Sequence, residues 1–285
     1  MFTLMSVDAL KVINYLNMLN TGLMQVFMLS LFNALNRSLL SVLKRHYLEN
    51  PIQYVYLMYN ILYYPEYTEL YLNLSGSRIT GYVLLWRGYV SSMHVFGNVD
   101  EIPIDVRSLG SVVIHALTKQ EVVMNLIKGL SMNGGVEVSR LLTMVCSSDT
   151  FREYSRHSVR RLNLRDVDEF TGIIKMSKAE AEARLTSPHW HYYGAFKGNR
   201  LVSLGGTYIK LPELWVIGDV VTLPEYRNMG LAKSVVSAIV KDALASGAMA
   251  MLHVDEDNEP ALRAYRSIGF QAVQESLLIK HSPHL

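Results

Sequence analysis

Between Glu213 and Val236 the chain reads ELWVIGDVVTLPEYRNMGLAKSVV, an apolar strand joined to an amphipathic helix by a short loop. No other stretch limits the fold as much. The strand pattern over 214–222 stops at Pro224, which has no N–H for a ladder. Arg227-Asn228-Met229-Gly230-Leu231-Ala232 then leads into a helix predicted over 231–246, with Leu231, Val235, Ile239 and Ala243 at helical spacing and Gly247 as the stop. A helix entered this way presents unpaired N–H groups and the positive end of its dipole, while Gly230 and Ala232 leave room for a phosphate beside the backbone. The spacing is neither the G-x-x-x-x-G-K-[ST] of a P-loop nor the G-x-G-x-x-G of a dinucleotide fold.

On either side, the second half predicts a strand over 159–164, helices over 166–176 and 179–185, and strands over 190–197, 201–209 and 214–222. After the 231–246 helix come a strand over 249–254, a helix capped by Asn258, and a last strand over 270–279. The first half predicts helices over 7–19 and 29–47. It continues with a three-strand antiparallel meander over 67–74, 79–86 and 91–96, turning at Ser75-Gly76-Ser77, then a helix around Val122 to Ile127 and a strand over 141–146. A boundary near residue 148 divides the chain into 1–148 and 149–285. Both halves read as a mixed-sheet α/β fold, which implies two tandem domains of one kind, the first of them degenerate.

Composition removes several classes. With 27 Lys and Arg against 25 Asp and Glu, the chain lacks the basic excess of a dedicated nucleic-acid binder. A single cysteine, Cys146, excludes an intramolecular disulfide framework and a multi-cysteine zinc site, and fits a reducing, cytoplasmic setting. His189 and His191 share one strand face without a third ligand, so no metal is expected. The uncharged stretch from Val12 to Asn36 has the length of a membrane span, but its side-chain amides argue against one. No G-x-S-x-G elbow is present.

The R-x-x-G-x-A loop gains meaning from a second segment about 25 residues further on, Asn258-Glu-Pro-Ala261-Leu-Arg-Ala-Tyr265-Arg-Ser-Ile-Gly269-Phe270. Together these resemble the GNAT superfamily of acyl-CoA-dependent N-acyltransferases, with its [QR]-x-x-G-x-[GA] loop and later N-x-x-A-x-x-x-Y-x-x-x-G-F helix. The resemblance covers about residues 158 to 280. TLPEYR (222–227) and HVDEDNE (253–259) look most like the FR47-like branch that includes the glycine N-acyltransferases.

The resemblance implies a GNAT-like acyltransferase fold and acetyl-CoA or another acyl-CoA as co-substrate. Val220, Val221 and Thr222 would pair with pantetheine, and Arg227, Asn228, Met229, Gly230, Leu231 and Ala232 would hold the pyrophosphate with Lys233 in reach. Asn258 would bond the cofactor or serve only as a helix cap. Tyr265 would act as the acid: a phenol with pKa near ~10 stays protonated at neutral pH and faces a departing thiolate. The base is open between Asp219, Glu213 and water, because Val216 or Gly218 occupies the usual carboxylate position. The expected activity is acyl transfer, acetyl favoured, to a small-molecule amine, an amino acid or a protein amine. The alternative is a CoA-binding sensor or scaffold without catalysis.

Overall fold

The computed structural model describes residues 39–76, 78–88, 91–100, 102 and 104–283. The helix expected over 7–19, the stretch from Val12 to Asn36 and the first part of the 29–47 helix lie outside the described residues. Two compact units share the chain, one formed up to Arg140 and again from Ser276, the other running from Leu141 to Glu275. The chain therefore changes unit twice.

In the first unit α1 (39–49) precedes α2 (Pro51–Tyr63), which the sequence reading omitted. Its ten apolar and aromatic residues mimic a strand, but Asn50 caps it, accepting from the Gln53 amide at 3.3 Å, and Pro51 supplies the preset first turn. β1 (Thr68–Ser75), β2 (Arg78–Trp86) and β3 (Ser91–Gly97) form the expected antiparallel meander. A strand the sequence reading also omitted, β4 (Val112–Thr118), pairs in parallel with β3 along its whole length. α3 (Gln120–Ser131) covers the sheet through Val122, Val123, Leu126 and Leu130, which meet Met93, Ile114 and Ile279 in the core. The other neighbour of β4 is the chain's last strand, with Leu277 to His281 antiparallel to Val112 to Ala116.

β5 (Gly134–Cys146) carries the chain into the second unit. β6 (Val159–Arg161), α4 (Val167–Ile174), α5 (Lys178–Thr186), β7 (His191–Lys197), β8 (Arg200–Lys210) and β9 (Leu214–Thr222) follow. Next come α6 (Leu231–Ala245), β10 (Met249–Asp255), α7 (Glu259–Ser267) and β11 (Gln271–Pro283). The second unit's sheet runs Leu141–Cys146, β10, β9, β8, β7, β6. α6 packs Val235, Val236, Ile239 and Val240 on it, all fully buried, at about 1.5–3 kcal/mol per side chain. That burial fixes the helix whose N-terminus faces the end of β9. Among the described residues no helix is long and apolar enough to cross a membrane.

Candidate active site

β9 and β10 are parallel neighbours for four pairs only, Leu214 to Ile217 with Met249 to Leu252. Beyond that they part. Gly218 to Thr222 form one side of the opening and His253 to Asp255 the other, so the β9 edge facing the gap carries no strand ladder and its backbone groups can take an extended ligand. The cause lies on the other side of β9. Gly206 pairs with Gly218 and Leu204 with Val221, so Asp219 and Val220 stand opposite Gly205 alone. This is a bulge, and Asp219 sits there at φ 51, a left-handed conformation that Asp tolerates better than most residues.

The loop after β9 makes one turn at Pro224–Tyr226 and passes through two further left-handed residues, Asn228 at φ 62 and Gly230 at φ 82. The first bond of α6 runs from the Ser234 amide to the Gly230 carbonyl at 3.1 Å. The amides of Gly230, Leu231, Ala232 and Lys233 have no acceptor among the described residues, and they open a helix of 15 residues. Their arrangement suits a pyrophosphate. Arg227 donates through Nε to the Thr222 carbonyl at 3.3 Å, which folds its side chain back over the strand end. Lys233 Nζ rests 4.3 Å from the centroid of the Tyr154 ring. Met229 is exposed, and its carbonyl meets His157 Nε2 at 2.7 Å.

Gly230 has a reason of its own. A Cβ there would run into the Tyr154 hydroxyl, so glycine is favoured by its positive φ and by this packing before any phosphate is considered.

Asp219 projects from the bulge toward α5 and β7. The Tyr192 hydroxyl donates to its Oδ2 at 2.6 Å and Arg184 Nη1 to the same oxygen at 3.2 Å. Arg184 also donates to Glu180 at 2.8 Å and lies 4.5 Å above the Trp190 ring. Burial, followed by the Asp219 charge, pushes the Tyr192 phenol above its ordinary range, so Tyr192 remains a donor and Asp219 an acceptor. Floor and walls follow from the pairing of two glycines: a Cβ on Gly206 would strike the Tyr192 ring and one on Gly218 the Tyr208 ring.

Tyr265 stands on α7, packed 5.9 Å from Phe270, and its hydroxyl bonds to no described residue. Burial raises its pKa to about 12. Asn258 caps α7, accepting from the Ala261 amide at 3.3 Å. Glu213 lies just before β9, at the end remote from the loop, and the four paired residues Leu214 to Ile217 separate it from the opening, a span of roughly 15 Å at ~3.3 Å per residue. One Glu213 carboxylate oxygen is buried with no partner among the described residues.

The structure thus gathers Asp219, Val220 to Thr222 and Arg227 to Lys233 at one end of β9 and leaves Glu213 at the other. Sequence reasoning missed Glu180, Arg184, Trp190, Tyr192 and Tyr208. Only Glu180 and Arg184 left a trace, an i,i+4 ion pair that reads as a solvated helix face. Of the two histidines expected on one strand face, only His191 lies on β7, His189 falling in the bend before it. His191 meets Lys210 Nζ at 3.0 Å, and its pKa is lowered to about 4, by burial first and then by Lys210. The first unit has a cavity of its own, about 860 Å3, lined by Arg45, His46, Tyr54, Arg78 and Phe96 among others. It contains none of the residues singled out from the sequence.

Residues 157–270 match the acetyltransferase (GNAT) family. An N-alpha-acetyltransferase RimI from Mycobacterium tuberculosis is 32% identical over 130 residues, 44% of this chain and 79% of that protein. The chain belongs to the GNAT acetyltransferase family. Fold similarity reaches further along it. A Drosophila protein of solved structure superposes with a TM-score of 0.64 at 15% identity, covering 85% of this chain and 95% of its own. A GCN5-related N-acetyltransferase-like protein from Streptococcus suis gives a TM-score of 0.50 at 11% identity, covering 75% and 88%. At these identities the likeness is one of fold alone.

Proposed function

We propose that this chain transfers an acetyl group from acetyl-CoA to an amine. One observation carries the reading: β9 and β10 part immediately ahead of four unpaired amides at the start of α6. The parted strand edge suits the amides of pantetheine, and the helix N-terminus suits the pyrophosphate, with Lys233 adding a positive charge.

In this reading the amine enters beside Asp219. Both contacts of that carboxylate go to Oδ2, which leaves Oδ1 for the substrate N–H. The amine nitrogen attacks the thioester carbon, a C–N bond forms, and the carbonyl oxygen takes the negative charge next to the β9 amides around Val221. Collapse breaks the C–S bond. The amine's proton leaves through Asp219 or a water, and the departing sulfur accepts a hydrogen bond from Tyr265. Burial raises the phenol pKa to about 12, so Tyr265 holds its proton and meets the departing sulfur as a hydrogen-bond donor.

TLPEYR and HVDEDNE support a place in the FR47-like branch, near the glycine N-acyltransferases. The single cysteine, Cys146, is buried and fits a cytoplasmic setting. In the alternative reading the chain binds CoA as a sensor without transfer. Its support is that Asp219 is already engaged by Arg184 and Tyr192. Single-turnover mixing with labelled acetyl-CoA and a panel of primary amines tests both: amide formed at the rate of thiol release supports transfer, and tight CoA binding with no amide from any amine overturns it.

A further inference from the structure

The acceptor side of the bulge has a definite charge. Asp219 and Glu180 are about two-fifths exposed, with side-chain accessibilities of 40% and 41%, and Arg184 between them is 23% exposed. One guanidinium cannot balance two carboxylates, so the group carries one net negative charge.

The position of the guanidinium matters as much as the count. Nη1 is committed to Asp219 and to the Tyr192 oxygen at 3.1 Å, Nη2 to Glu180, and Nε is buried without a partner among the described residues. Trp190 covers one face of its plane. No edge of Arg184 is left for the bidentate grip by which arginine holds a substrate carboxylate. The lysine that opens α5, Lys178, is paired with Asp168 at 2.8 Å. Two acceptor atoms, Asp219 Oδ1 and the second oxygen of Glu180, have no partner among the described residues. Tyr192 and Tyr208 add aromatic walls, which favour a cation.

Resting on the acetyl-transfer reading, we infer that this site takes a cationic primary amine with no carboxylate beside it, such as an α-amino amide or an alkylamine, and discriminates against free amino acids. A zwitterion brings its carboxylate against the net negative group and finds no free cation, whereas an ammonium finds two carboxylate oxygens and passes one proton to Asp219 or a water before its nitrogen attacks.

The test compares glycine with glycinamide, which differ in the carboxylate alone. Thiol release from acetyl-CoA by the full chain is measured at matched concentrations of unprotonated amine, with amine-free hydrolysis subtracted. The expected kcat/KM for glycinamide is at least tenfold that for glycine. Glu180→Gln should narrow the ratio several-fold, with thermal unfolding as the control on folding. Equal or inverted preference, or a ratio unmoved by Glu180→Gln, overturns the inference and leaves acetyl transfer standing. Absence of amine-dependent thiol release from a chain that still binds CoA overturns both.

Discussion

Replacing Tyr265 by Phe removes one oxygen from a ring that packs on Phe270 and whose hydroxyl bonds to no described residue. Because no hydrogen bond is lost, folding stability should change by no more than about 0.5 kcal/mol. Catalysis should respond very differently. A donor placed at a leaving group contributes about 10²–10⁴-fold, and the high pKa of this phenol sets the lower end, because the donor holds its proton throughout. The expectation is a loss of about 10²-fold in single-turnover rate at saturating acetyl-CoA, or about 2.7 kcal/mol of barrier.

The pH profile tests the same reasoning. The pKa of Tyr265 rises from 10.0 to about 12 because burial penalises the phenolate. The folded pKa lies above the unfolded one, so the related stability is complete below pH 10 and is lost as pH rises toward 12. Activity should accordingly show no limb from this phenol near pH 10. A Phe variant as active as wild type, or a wild-type limb at pH 10 that vanishes in the variant, would refute the assignment.

Arg227→Ala and Lys233→Ala should each weaken CoA binding about five- to tenfold, more at low salt than at high; calorimetry that finds both unchanged removes the pyrophosphate site from this loop. Gly230→Ala should destabilise the fold by about 1–2 kcal/mol because φ is positive there, and adding Tyr154→Phe should recover part of the loss by clearing the nearest atom; a fully stable single variant contradicts the packing. His94 and His115, ring centroids 5.8 Å apart, are held neutral by burial, His115 with a pKa near 4 and His94 well below its usual value. Depressed folded values mean stability that is whole above ~6.5 and lost as pH falls toward 4, worth about 2–3 kcal/mol for His115; urea titrations at pH 7 and pH 4.5 should show the drop, and His115→Gln should flatten it. A fragment 149–285 lacks Leu141 to Cys146, the neighbour of β10 that includes the fully buried Met144 and Cys146. It should fail to unfold cooperatively where 141–275 succeeds, as followed by circular dichroism.

Legibility in the sequence tracked local signals. The strand at 214–222, the helix after it and the Asn258 cap were readable because each rests on neighbours within a few residues. α2 was lost because tyrosine-rich helices look like strands, and β4 because its half-buried positions Val113 and Leu117 are as apolar as its buried ones, so alternating burial leaves little alternation in the sequence. The bulge at Asp219 depends on pairing with β8, and the exchange of strand neighbours at β4 and β10 depends on residues far apart in the chain. The acceptor group was hidden for the same reason. Tyr192 is one of 17 tyrosines, and only the pairing of Gly206 with Gly218 reveals why its ring lies over that floor.

The two units separate architecture from chemistry. Both contain the same meander followed by a parallel strand, yet β3 and β4 stay paired for seven residues from Ser91 to Gly97, where β9 and β10 part after four. Between β3 and β4 the described residues form only a single turn, Val106–Ser108, in place of a helix like α6. Without a gap there is no strand edge for pantetheine, and without a helix there are no aligned amides for pyrophosphate. The first unit should therefore bind no CoA: one CoA per chain by calorimetry is the expected stoichiometry. Two per chain, or CoA retained at full affinity when Arg227 and Lys233 are both replaced by Ala, would show that neither the gap nor the helix decides where the cofactor goes.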